Sequence, residues 1–268
     1  MAADMGARTQ NARRAARQSL LCHLTIGVAG TGEFRLSTVA VAVVCKTPAA
    51  GQSKTRLSPP LTPEQCATLS ASFIKDTART VAGLAGVTAY ALYTPQGSEG
   101  ALRTLLPEGF SLLAQAEGDL GARLLRGVED LLKHGHAGVI LIGADSPTLP
   151  LSILRQAVEA VRCEDNVVLS PAQDGGYVLI GLSRPHSRLF EDIPWSTGEV
   201  YGVTLARAKE IGLPAVPLPG WYDVDDPTPL QMLEDELAGR APAFATVTGA
   251  DAPATREFLR ACKRPPEH

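Results

Sequence analysis

Five short apolar runs, separated by segments long enough to hold helices, constrain this chain more than any other feature. They lie at residues 39–45, 87–94, 110–114, 138–143 and 167–170. Each is nearly continuous in apolar character rather than alternating, as expected for strands covered on both faces in a parallel sheet. Between them, residues 62–84, 98–106, 122–133 and 151–162 read as helices, the first opened by Thr62 as N-cap, Pro63 at the first position and Glu64 in the first turn. The pattern predicts a single α/β domain built from βαβ units, with a mostly parallel central sheet and helices on both faces. An extra strand at 175–182, a helix at 198–211, a short strand at 214–218 and a helix at 229–237 complete the expected order. With 45% hydrophobic residues, the chain can bury such a core.

The flanks read differently. Residues 1–37 carry Arg8, Arg13, Arg14, Arg17 and Arg35 against Asp4 and Glu33, which predicts a basic, disordered leader. Its apolar patch at 20–24 is interrupted by His23 and followed by Thr25, a poor match to a signal peptide. The domain is expected over 38–240, with a partly helical extension at 241–268. The five cysteines are scattered and form no CxxC pair, which argues against a disulfide framework or a zinc site and points to a reducing cytoplasm. A net charge of −3 gives no reason to expect nucleic acid or an anionic membrane as partner. No apolar run approaches the roughly 20 residues of a membrane span.

In open α/β sheets, ligands bind beyond the carboxyl ends of the strands, and the informative loops lie there. After the first strand comes Lys46-Thr-Pro-Ala-Ala-Gly51-Gln-Ser-Lys54-Thr55-Arg56. It is not a P-loop, because Ser53 stands where that motif needs glycine before the lysine. Small residues nevertheless let backbone N–H groups approach a ligand, and Lys46, Lys54 and Arg56 supply charge for phosphate oxygens. A solvated surface loop is the plainer alternative.

After the strand at 138–143 stands Asp145, in Gly143-Ala-Asp-Ser-Pro-Thr-Leu-Pro150. An aspartate leaving a buried strand is costly unless it is paired, caps a helix or binds a cation; here a cap and a metal ligand are equally good readings. Downstream, Asp223 and Asp225 alternate in an extended segment and so share a side. Their hard oxygens suit Mg²⁺ or Mn²⁺ shared with substrate phosphates, while Asp226 reads as the cap before Pro227. Asp174-Gly175-Gly176 is either a hairpin turn or a close-approach site for a bound group. Asp119, in Glu117-Gly-Asp-Leu-Gly-Ala-Arg123, either caps a helix or forms part of a ligand wall. Ser196 to Glu199 matches a capping box.

Taken together, VAVVCKTPAAGQSKTRL, GDLGARL, LIGADSPTLP, SPAQDGGYVLIGL, IPWST and YDVDDPTPL resemble the DUF2064 family, also called the radical-SAM/selenodomain-associated transferases. Some of its members are labelled arsenosugar-biosynthesis glycosyltransferases. The family is similar to the nucleotide-diphospho-sugar transferases of GT-A fold, and the resemblance spans residues 39–237. It implies a nucleotide held by Lys46, Gly51, Lys54, Thr55, Arg56 and Asp119, with Gly175 and Gly176 lining the transferred group or the acceptor. It further implies Mg²⁺ or Mn²⁺ on Asp145, Asp223 and Asp225, and catalytic roles for Lys54, Arg56 and Asp174. One departure stands out: Asp145-Ser-Pro lacks the second acid of the DxD motif usual in GT-A glycosyltransferases, so a metal there depends on the later aspartates.

The expected reaction is glycosyl transfer from a nucleotide sugar to a small-molecule acceptor. Nucleotidyl transfer from a nucleoside triphosphate, releasing pyrophosphate, would use the same groups. A nucleotide-binding regulatory module without turnover is the third reading, although simple binding needs no second acidic cluster.

Overall fold

The structure, a computed structural model, describes residues 38–262; the basic leader at 1–37 and residues 263–268 lie outside the described residues. Strand β1 (Val39–Lys46) is central because both of its faces are apolar. Val39, Val41, Val43 and Cys45 enter one core, while Ala40 and Ala42 enter the other. β1 pairs in parallel with β2 (Val87–Thr94) on one side and β4 (Gly138–Gly143) on the other, Val39 opposing Val87 and Gly138. The full order is β3-β2-β1-β4-β6-β5-β7, with β3 at Ser111–Ala114, β5 at Val167–Pro171, β6 at Tyr177–Leu182 and β7 at Ala215–Pro217.

β6 runs antiparallel to both β4 and β5. The cause is local: the link from β5 to β6 is too short for the crossover that a parallel pair requires, so the chain turns back as a hairpin. β1 and β4 are neighbours in the sheet although β2 and β3 intervene in sequence. Loops leaving these two strands therefore part in opposite directions and leave a crevice between them.

One face of the sheet is covered by α1 (Pro63–Ala82), α4 (Leu151–Cys163), α6 (Pro227–Leu237) and α7 (Pro253–Cys262), through Phe73, Leu154, Leu233 and Phe258. The other is covered by α3 (Leu120–Lys133) and α5 (Val200–Glu210), through Leu124, Val128, Leu131 and Ala208. A short α2 (Glu99–Arg103) lies between β2 and β3. The predicted start of α1 forms a reciprocal box, the Gln65 N–H donating to Thr62 Oγ1 at 3.2 Å and the Thr62 N–H to Gln65 Oε1 at 2.8 Å. The segment after residue 240 is tied to the domain at Asp76, which is 1% exposed and accepts from the N–H groups of Ala254 (3.0 Å) and Thr255 (2.8 Å). No disulfide joins the described cysteines, and no helix among the described residues is long and apolar enough to cross a membrane.

The capping box expected at Ser196 does not form. Helix α5 begins at Val200 with Glu199 as a cap that makes no side-chain bond, and Ser196 has φ 64°, in the left-handed region. The neighbouring hairpin explains the distortion. Gly175 packs so tightly on this segment that a Cβ there would lie 2.1 Å from the Gly198 carbonyl oxygen. The chain is steered by that backbone contact rather than by a cap.

Candidate active site

The loop after β1 is folded rather than loose. The Gln52 and Ser53 N–H groups both donate to the Ala49 carbonyl at 3.1 Å, and Ser53 Oγ accepts from the Ala49 N–H at 3.1 Å. Lys54 follows with φ 49°, a left-handed conformation that is uncommon outside glycine. Next comes a short 3-10 turn, Thr55–Leu57, anchored by the buried Leu57. This geometry separates the three cations. Lys46 and Arg56 stay exposed, whereas the Lys54 side chain is only 5% exposed.

The Lys54 ammonium lies 2.6 Å from Asp145 Oδ1 and 2.7 Å from Asp225 Oδ1, and 5.5 Å from the centre of the Phe73 ring. Burial alone would favour the neutral amine. The two carboxylates outweigh it and hold the Lys54 pKa above its ordinary value. The surface-loop alternative therefore fails for Lys54, although Arg56 and Thr55 remain exposed to solvent.

Asp145 caps nothing: α4 is preceded by Pro150, which makes no side-chain cap bond. Its carbonyl instead accepts from the Val224 N–H at 2.9 Å, tying the β4 loop to segment 221–226. In that segment Tyr222 and Val224 are buried, and Asp223 and Asp225 face the other way, as their alternation predicts. The two aspartates nevertheless differ. Asp225 meets Lys54, whereas the Asp223 pKa is raised to about 6, first by burial and then by the charges of Asp174, Asp225 and Asp145. Asp226 caps α6, accepting from the Thr228 N–H at 2.9 Å.

Asp174 is exposed and accepts from the Gly176 N–H at 2.8 Å. Gly175 (φ 91°) is required by its contact with Gly198, which accounts for this glycine without a ligand. Asp119 caps α3, accepting from the Ala122 N–H at 2.8 Å, and lines neither cavity described next.

Two cavities meet at Lys54. One of 340 Å³ lies over the β1–β4 crevice and is lined by Lys46, Lys54, Gln115, Arg123, Asp145 and Asp225, among others. The other, of 260 Å³, is lined by Lys54, Thr55, Arg56, Asp174, Ser196 and Asp225. Gln115 and Arg123 were not among the site residues expected from sequence. The Arg123 guanidinium donates to Gln115 Oε1 at 3.1 Å, and Gln115 Nε2 donates to the Leu92 carbonyl at 2.9 Å, so the cation is held on the cavity wall. The overlooked signal is an arginine near the start of a helix, where the macrodipole disfavours positive charge.

For a divalent cation, the donor set fits in part. Two hard carboxylate oxygens converge on the Lys54 ammonium, and Mg²⁺ is commonly held by one or two carboxylates together with substrate phosphates. Among the described residues, no group of three or more His, Cys, Asp or Glu side chains is arranged to hold a metal, so Asp223 does not complete a preformed site.

Comparison with known proteins follows the same lines. The model of DUF2064, "Uncharacterized protein conserved in bacteria", matches residues 77–197. The motif resemblance to DUF2064 holds. The match contains Asp119, Asp145, Asp174 and the glycine pair, while Lys54, Asp223 and Asp225 fall outside it. Among solved structures, a candidate nucleotide-diphospho-sugar transferase from Desulfovibrio desulfuricans G20 superimposes with a TM-score of 0.72 at 26% identity, over 84% of this chain and 95% of that one. A nucleotidyl transferase from Methanothermobacter follows with a TM-score of 0.51 at 14% identity, over 84% and 99% of the two chains. A CMP-2-keto-3-deoxy-manno-octonic acid synthetase complexed with CTP gives 0.50 at 12%, over 76% and 99%. These two share the fold alone. No curated protein matches the sequence. The chain thus has the mixed α/β fold of nucleotide-diphospho-sugar transferases and nucleotidyltransferases.

Proposed function

We propose that this protein is a divalent-metal-dependent transferase that moves a glycosyl group from a nucleotide sugar to a small-molecule acceptor. The observation that carries the reading is the burial of Lys54 between Asp145 and Asp225, at the crevice where ligands of open α/β sheets bind. A lysine held this way presents charge to a phosphate without first having to be ordered.

In this reading the nucleoside diphosphate occupies the 340 Å³ cavity, with Lys46, Lys54 and Arg123 toward its phosphate oxygens. Arg56 faces the same group from the second cavity. Asp145 and Asp225, with Asp223 beside them, would hold Mg²⁺ or Mn²⁺, which supplies electrostatic stabilisation of the departing diphosphate. Asp174, which also lines the second cavity, takes the proton from the acceptor hydroxyl as the acceptor oxygen bonds to the anomeric carbon. The bond from that carbon to the diphosphate breaks, and the nucleoside diphosphate leaves.

The test is a pair of assays on the full chain with Mg²⁺. Release of nucleoside diphosphate from a nucleotide-sugar panel is expected, and Asp145→Asn and Asp225→Asn should each abolish it. Pyrophosphate release from nucleoside triphosphates with sugar phosphates or phospho-acids would replace this reading with nucleotidyl transfer. Nucleotide binding without turnover in either assay would leave a regulatory module.

A further inference from the structure

Beside the charged cavities lies a third of different character. It encloses 220 Å³ against the face of the sheet covered by α3, and its walls include Leu124, Ile180, Tyr177 and Trp195. It shares Asp174 and Ser196 with the cavity that holds Lys54 and Arg56, so the two are neighbours with a common wall. Tyr177 and Trp195 meet edge to face, ring centres 6.4 Å apart at 78°. The Tyr177 hydroxyl is buried and has no hydrogen-bond partner in the protein. Leaving such a group unpaired is costly, and burial also pushes the phenol's pKa up, so it remains a donor.

This slot is a poor place for the sugar of a nucleotide donor. A polyhydroxyl ring would lose its water against Leu124, Ile180 and the two aromatic rings and regain few hydrogen bonds. By volume it exceeds the roughly 150 Å³ apolar cavity that takes up benzene. We propose that the slot holds the acceptor, and that the acceptor is a small amphipathic molecule. Its apolar body is about the size of one six-membered ring. One polar group meets the Tyr177 hydroxyl, and its nucleophile lies at the Asp174 end. The word acceptor rests on the transferase reading; the preference for a ring carrying one polar group does not.

The closing experiment therefore needs no nucleotide. The probes are p-cresol, which has ring and hydroxyl, toluene, which has the ring alone, and glycerol, which has hydroxyls alone. The reporters are the indole N–H resonances of the protein's two tryptophans. Trp195 lines the slot, whereas Trp221 lines a separate cavity and serves as the internal control. Titration with p-cresol is expected to shift the Trp195 resonance and leave that of Trp221 in place, with toluene weaker and glycerol silent. Tyr177→Phe should keep toluene binding and lower p-cresol affinity about 3- to 10-fold, the value of one hydrogen bond. Glycerol binding at Trp195, silence toward p-cresol, or equal p-cresol affinity in Tyr177→Phe would each overturn the proposal. Titration of nucleoside diphosphate with Mg²⁺ on the same sample reports the donor site separately, so failure of the slot and failure of the transferase reading are told apart.

Discussion

The loop after β4 and segment 221–226 are joined by side chains in two places, of opposite chemistry. On one side, Glu236 of α6 accepts from Thr148 Oγ1 at 2.8 Å and from the Tyr222 hydroxyl, while Trp221 Nε1 donates to Thr148 Oγ1 at 3.2 Å. Thr148, Trp221 and Tyr222 are all essentially buried. Gly249 closes over the carboxylate, so near that a Cβ there would lie 1.9 Å from Glu236 Oε1. On the other side, the Lys54 ammonium bridges Asp145 and Asp225, whose side chains are 44% and 46% exposed. The first junction is largely buried and hydrogen-bonded, so it positions. The second is open and over-supplied with negative charge, Asp174 and Asp223 lying near enough to act on one another. Structural hydrogen bonds thus hold the two loops, leaving the charged groups to meet a ligand.

Removing Lys54 should break this contrast most severely. Lys54→Met is expected to weaken nucleotide binding on the order of 30-fold, about 2 kcal/mol once the exposure of the two carboxylates is allowed for. Calorimetric titration measures it; wild-type affinity would move the phosphate site elsewhere. At the other junction, Glu236→Ala strands the Thr148 and Tyr222 hydroxyls and should cost about 2 kcal/mol in urea unfolding, with Glu236→Gln largely restoring it. An unchanged midpoint for Glu236→Ala would show that this junction does not hold the loops.

The crowding of carboxylates can be read through pH. The folded state keeps a proton on Asp223 up to about pH 6, whereas the unfolded chain loses it near the usual aspartate value. Folded protein then binds more protons than unfolded over that window. In metal-free buffer, stability should fall as pH rises from about 4 to 6, and Asp223→Asn should flatten the fall. The smallest effect concerns Asp119. With its carboxylate committed to the α3 cap, Asp119→Ala should cost about 1 kcal/mol of stability and leave nucleotide affinity intact. Loss of affinity would place Asp119 on the nucleotide after all.

What was legible in the sequence depended on how local its cause was. The strands read clearly because burial on both faces demands unbroken apolar runs, and the reversal at β6 follows from its short link to β5. The Thr62 cap was legible because the bond it makes lies within four residues, while the return bond to the Gln65 side chain came from the structure. The similar pattern at Ser196 misled, because the backbone contact of Gly175 with Gly198 prevails there. The side shared by Asp223 and Asp225 followed from strand alternation, while the contrast between them, one paired with Lys54 and the other protonated up to about pH 6, did not.

By itself, then, the sequence determined an α/β sheet with a cationic loop at one strand end and acids at others, because periodicity and turn chemistry act between near neighbours. Only the tertiary structure decided that Lys54, rather than Lys46 or Arg56, turns inward. Its partner Asp225 lies 171 residues away, and sheet register and loop packing bring the two charges together. No local pattern encodes that distance, since two residues so far apart become neighbours only once the strands between them have paired.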